Sequence, residues 1–125
     1  VRLFREQIEG FRVFLVKGTP DASQQKDIDF LLTAGEIFTL VVYGQLILEN
    51  ARMLGMTDDL VDQIFEFMVR DFSAFALQLH GKPSSTEAQQ ALCLALLRKP
   101  LHDEARFERM LAEVMALKGA YEMAP

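Results

Sequence analysis

From Phe30 to Leu48 the chain reads FLLTAGEIFTLVVYGQLIL, apolar on nearly every side before charge returns at Glu49 and Arg52. A helix of this kind is ordinarily buried all round, which restricts the chain to folds that wrap one helix in others. The run also approaches the roughly twenty mostly apolar residues that a membrane crossing needs. Glu36 in its middle, together with Gln45, Gly35, Gly44 and the amphipathic text on either side, speaks against a crossing. The expectation is the central helix of a soluble bundle, with part of its surface turned to another domain or subunit and no transmembrane segment.

The rest of the chain repeats the helical period. Phe4, Ile8, Phe11 and Leu15 form one stripe of a first helix that ends near Gly18. The apolar helix is expected to begin around Ser23 or a little earlier, with Pro20 in its first turn and Asp21 near the positive end of its dipole. Gly55-Met56-Thr57 makes the next break, with Thr57 or Asp58 as the cap. Leu60, Ile64, Met68, Phe72, Phe75 and Leu79 are the stripe of a third helix that stops at His80-Gly81-Lys82-Pro83. Ser84 and Glu87 have capping-box spacing and predict the start of a fourth helix, which ends before Pro100. A last helix from His102 or Asp103 carries Phe107, Met110, Val114, Leu117 and Tyr121 on one face. With no repeat, no low-complexity stretch and no convincing strand, the prediction is an all-α antiparallel bundle of four to five helices.

A chain of 125 residues is one domain, and the single unit is expected to span residues 1–125. Half of it is hydrophobic and a quarter charged, which excludes intrinsic disorder. Its mean hydropathy of +0.12 is high for so small a water-soluble domain, so some apolar surface is expected to meet a partner. The net charge of −5 and the scattered lysines and arginines argue against nucleic acid or an anionic membrane as that partner. Cys93, alone in Ala91-Leu92-Cys93-Leu94-Ala95, reads as a small core residue in a reducing, cytoplasmic setting. Because the chain opens on Val1 already within a helical pattern, it is expected to be a fragment of a longer protein.

No catalytic constellation emerges. The glycines stand apart, so no phosphate loop is present. His80 and His102 sit at helix ends without a carboxylate three residues earlier, which excludes the Glu-x-x-His pattern of bundle metal sites. Nothing activates Cys93 as a nucleophile, and Ser84-Ser85 is explained by capping. Glu36 is the one polar residue whose place asks for an account. It is either a general base or ligand contact with a raised pKa, or, as favoured here, part of a strip with Thr33 and Tyr43 that is exposed or faces a cation. Phe65, Phe67, Phe72 and Phe75 either line a pocket for a hydrophobic ligand or, by default, pack the core.

The stretches DIDFLLTAGEIFTLVVYGQLILENA, Asp27 to Ala51, and FEFMVRDFSAFALQLHGKPSSTEAQ, Phe65 to Gln89, resemble the carboxy-terminal helical region of long bacterial acyl-CoA dehydrogenases. So does the closing RFERMLAEVMALKGAYEMAP, Arg106 to Pro125. The resemblance implies a parent that binds FAD and oxidises an acyl-CoA, with a glutamate base taking the alpha proton while hydride passes to flavin. The family's catalytic glutamate sits in a segment like Tyr-Glu-Gly-Thr. Here Tyr121-Glu122 is followed by Met123-Ala124, so the base is not carried over to Glu122, and no flavin-contacting residue is assigned. The implied role is an accessory C-terminal domain with no cofactor of its own, which packs on the catalytic core or serves homo-oligomer assembly. The alternative is the ligand-binding and dimerisation domain of a TetR-like transcription regulator, also an acidic-to-neutral helical bundle with an aromatic-lined cavity.

Overall fold

The computed structural model describes residues 1–120, 122 and 123. They form five α-helices: α1, Arg2–Lys17; α2, Ile28–Leu54; α3, Asp58–His80; α4, Glu87–Leu94; and α5, Glu104–Ala116. No strand occurs among the described residues, and the helices pack as an all-α bundle. A single 3-10 turn, Gln24–Lys26, precedes α2. The second helix therefore starts later than expected. Asp27, not a residue near Ser23, caps α2 by accepting a hydrogen bond from the Phe30 N–H at 3.2 Å.

Three residues join α2 to α3, so the two run antiparallel. Gly55 makes that turn in the left-handed region, φ 63°, which lets the Met56 N–H return to the Ala51 carbonyl at 3.0 Å. Thr57 then caps α3 as expected. Phe4 near the start of α1 packs edge-on against Phe65 near the start of α3, and Gln7 reaches Val69 and Ser73 one and two turns on. The first and third helices thus run the same way, the course of an up-down-up chain.

The centre of the bundle is α3, a correction to the sequence expectation. It touches each of the other four helices and buries Val61, Phe65, Met68, Val69, Phe72, Ala76 and Leu79. By contrast α2 buries only Phe30, Thr33, Ile37, Gly44 and Ala51. Its most apolar 18-residue stretch is 17% buried. The helix packs chiefly on α3, so one face is covered and the opposite face has no neighbouring helix among the described residues.

Two stripes are also corrected. In α1 the buried set is Phe4, Gln7, Phe11 and Phe14, while Leu15 is exposed. In α5 only Met110 is buried; Phe107 is half-buried, and Val114 and Leu117 face water because α5 meets the bundle along α3 alone. Tyr121 lies outside the described residues. The α4 cap is Thr86 with Gln89, a capping box two residues on from the expected Ser84–Glu87 pair.

Buried amides close the turns. Gln24 and Gln89 bond each other reciprocally at 2.7 and 2.9 Å, and their remaining N–H groups reach the Ser84 and Gly18 carbonyls. Both carbonyls belong to chain breaks and have no helical donor, so the two glutamines supply what the backbone lacks. Gln7 links helices, donating to the Leu96 carbonyl beyond α4, to the Val69 carbonyl of α3 and to Ser73 Oγ.

Candidate functional site: the open face of the second helix

Along α2 the buried positions recur at helical spacing and are small for the most part: Thr33, Gly44 and Ala51 accompany Phe30 and Ile37. Gly44 is small for a reason. A Cβ there would fall inside the contact distance of the Phe4 ring, which is how α1 comes to lie against α2. Half a turn away the residues are larger: Leu32, Phe38 and Leu46 are 64%, 58% and 49% exposed, and Ile28, Val42 and Met53 continue the stripe from end to end. Large apolar residues ordinarily go inside and small or polar ones outside. On α2 both faces are apolar, because Leu40, Val41, Ile47 and Leu48 pack inward with Phe30 and Ile37 while the outer stripe is left exposed. Gly35, in the middle of the open face, would meet nothing within 4 Å if it carried a Cβ.

Charge on this helix is sparse and mostly acidic. Asp29, Glu36 and Glu49 are exposed around the stripe, and Arg52 is the only cation in α2. Asp29 is held by Lys82 at 2.7 Å, so it also ties the start of α2 to the end of α3. Asp27 has its carboxyl below the ordinary range because Ser84 Oγ donates to it at 2.7 Å and the Phe30 N–H adds a second bond.

Beside the covered edge of α2 lies a groove of about 450 Å³ between α1, α2 and α3, floored by Phe4, Ile8, Val41 and Leu48 with Arg5 and Arg52 among its polar lining. No glycine-rich turn opens a helix into it.

The residues singled out from the sequence are not brought together. Glu36 is exposed, Thr33 is buried with its hydroxyl donating to the Asp29 carbonyl, and Tyr43 is exposed. The strip is therefore solvent-facing at Glu36 and Tyr43 but not at Thr33. His80 ends α3, whereas His102 is exposed beside Glu104 at 2.7 Å. Among the described residues no three metal-ligating side chains cluster. Cys93 is wholly buried, and burial pushes its thiol up to about 11, the opposite of nucleophile activation. Ser84 and Ser85 spend their hydroxyls on Asp27 and the Leu79 carbonyl. Phe65 and Phe72 pack edge-on around Phe4, Phe75 is half-buried, and Phe67 lies outside under the Arg70 guanidinium at 5.4 Å.

Sequence reasoning missed Glu66, the one buried side-chain carboxylate among the described residues. Glu66 accepts from Arg70 at 2.7 Å and from Arg106, which reaches it from α5. Its position was legible, since Glu66 falls among Asp62, Phe65 and Val69 on the inward side of α3. The pair fastens α5 to α3, together with the two-pronged Arg109–Asp59 bond at 2.7 and 2.9 Å. Comparison with family models, with curated proteins and with solved structures finds no match to this chain. The functional reading therefore rests on the open face of α2.

Proposed function

We propose that this chain is a non-catalytic assembly domain, the accessory C-terminal helical part of an acyl-CoA dehydrogenase-like FAD enzyme. Its work is to pack against another protein surface through the outer face of α2. The observation that carries this reading is the outer face of α2, where large apolar residues stand exposed from Ile28 to Met53. A stripe of that size, rimmed by polar residues, marks an interaction site. The flavin and the glutamate base of such an enzyme belong to the remainder of the parent, where the hydride transfer takes place. Glu36 is exposed on α2.

The test is to purify the chain and record its visible flavin absorbance and its acyl-CoA-dependent reduction of an electron-accepting dye. The expected result is neither. Bound FAD or turnover by the chain itself overturns the reading. The sequence encoded upstream of Val1 decides between parents: a flavoenzyme core supports the proposal, and a helix-turn-helix head replaces it with the TetR-like alternative. That alternative needs an aromatic-lined cavity, whereas the rings of Phe4, Phe65 and Phe72 are packed on one another.

A further inference from the structure

Resting on the assembly reading, we infer that the occupant of the open α2 face is the same face of a second copy of this chain, laid antiparallel about a two-fold axis near the middle of the helix. The first support is area. The chain exposes 8457 Å², whereas a compact protein of 14.2 kDa exposes roughly 6,800 Å². The excess of roughly 1,700 Å² is about twice the ~800 Å² that each partner hides in a standard interface. Part of it belongs to α5 and the segment after it, and half of it is enough for a stable dimer.

Length is the second support. The apolar positions run from Ile28 to Met53, the whole of a 27-residue helix about 40 Å long. A partner that covers both ends must offer an apolar element equally long. The chain contains such an element in α2 itself, and a two-fold pairing covers the stripe with its own copy.

Charge fixes the direction. In a parallel pair Glu49, which lies between Val42 and Met53 on the open face, would meet its own copy. Antiparallel pairing about residues 40–41 separates the two copies of Glu49 and sets Ile28 level with Met53. Opposed helix dipoles favour the same direction. A lipid surface is the poorer occupant, because interfacial helices carry lysine and arginine on their rims, whereas this rim is acidic and the chain carries −5. A crossing of the bilayer would strip Phe30 and Ile37 from the core.

Light scattering and sedimentation equilibrium on the 125-residue chain test the pairing. The expected mass is twice 14.2 kDa at micromolar concentration. The double variant Val42→Glu, Leu46→Glu is expected to fall to the monomer mass, at least tenfold weaker in association, with an unchanged helical spectrum because both side chains face water. For direction, Ile28→Cys chains mixed with Met53→Cys chains are expected to form a mixed disulfide under oxidation. Met53→Cys chains alone are expected to form none, since the native Cys93 is buried. A monomeric wild-type chain, a dimer that survives the two glutamates, or self-linked Met53→Cys overturns the inference, as does recruitment to phosphatidylcholine vesicles at the expense of the dimer. These failures are distinct from failure of the assembly reading: a monomer without flavin leaves that reading standing and needs a different partner, whereas bound FAD removes the reading itself.

Discussion

Two glycines in the same helix give opposite outcomes on substitution by alanine. Gly35 and Gly44 both sit in the interior of α2, where alanine is favoured over glycine by about 0.8–1.0 kcal/mol. At Gly35 the new methyl meets nothing within 4 Å, so Gly35→Ala should stabilise the fold by about 1 kcal/mol. At Gly44 the methyl would collide with the Phe4 ring. That ring is braced by Phe65 at 5.2 Å and Phe72 at 5.8 Å, and its only free direction is outward into the groove, where it exchanges core contacts for water. Overpacking of this kind costs about 1–3 kcal/mol, and a braced ring belongs in the upper half of that range. Set against the propensity gain, Gly44→Ala is expected to destabilise by about 1–2 kcal/mol. Packing wins over propensity at one site and is absent at the other, which leaves a gap of about 2–3 kcal/mol between the two variants. Urea unfolding followed by far-ultraviolet circular dichroism, at one low chain concentration, reads the gap as midpoints that move apart at constant slope. If Gly44→Ala rises as far as Gly35→Ala, then Phe4 does not press on α2 and the packing of α1 described above is wrong.

Other perturbations test the polar parts. Glu66→Gln leaves Arg106, 15% exposed, without its counter-charge and should lower stability by about 3 kcal/mol in a thermal melt; the share from Arg70, more than half exposed, is small. Cys93→Ala should lose its stability deficit as pH rises. The folded thiol is raised to about 11 from 9.0, so the wild-type contribution is intact below pH 9 and is lost between 9 and 11, a change on the order of 3 kcal/mol; unfolding curves at pH 8 and pH 10.5 compare the pair. Ser84→Ala removes the main cause of the depressed Asp27 carboxyl, whose contribution exists above the ordinary carboxylate pKa of 3.8 and fades as pH falls through the folded value. The wild type should therefore exceed the variant at pH 7 and converge with it near pH 2, as acid titration of the helical signal would record.

The helices and most breaks were legible because their signals are local. Thr57 and Asp103 cap the helices assigned to them, and Gly18 and Gly81 stand at the ends of α1 and α3. Competition between two valid local signals was not legible. Ser84–Glu87 and Thr86–Gln89 have the same spacing, and the second wins because Asp27, far off in sequence, takes the Ser84 hydroxyl. The buried glutamines escaped for a related reason: Gln7 lies within the Phe4–Phe11–Phe14 stripe, yet its polarity suggested the surface, and only the carbonyls brought to it by α3 and the end of α4 make it an inside residue. Conversely Glu36 drew attention by standing in apolar text, and that text turned out to be surface.

The last point bears on what hydropathy measures. A run as apolar as Phe30–Leu48 predicts that the segment leaves water, and it was read as the hub of its own bundle. The hub is α3, a helix with more charge and two buried polar side chains, Gln63 and Glu66, because centrality depends on how many neighbours a helix meets. Five helices of this size do not enclose a 27-residue helix placed at their edge. Its inner face already holds Phe30, Ile37, Leu40, Val41, Ile47 and Leu48, and a second set of large apolar side chains stands on the outer face. An isolated chain gains nothing in folding from Leu32, Phe38 or Leu46 where they are, and loses solubility by them. Because of that distribution the proposed function is placed on the outer face of α2, and on no polar residue in the chain.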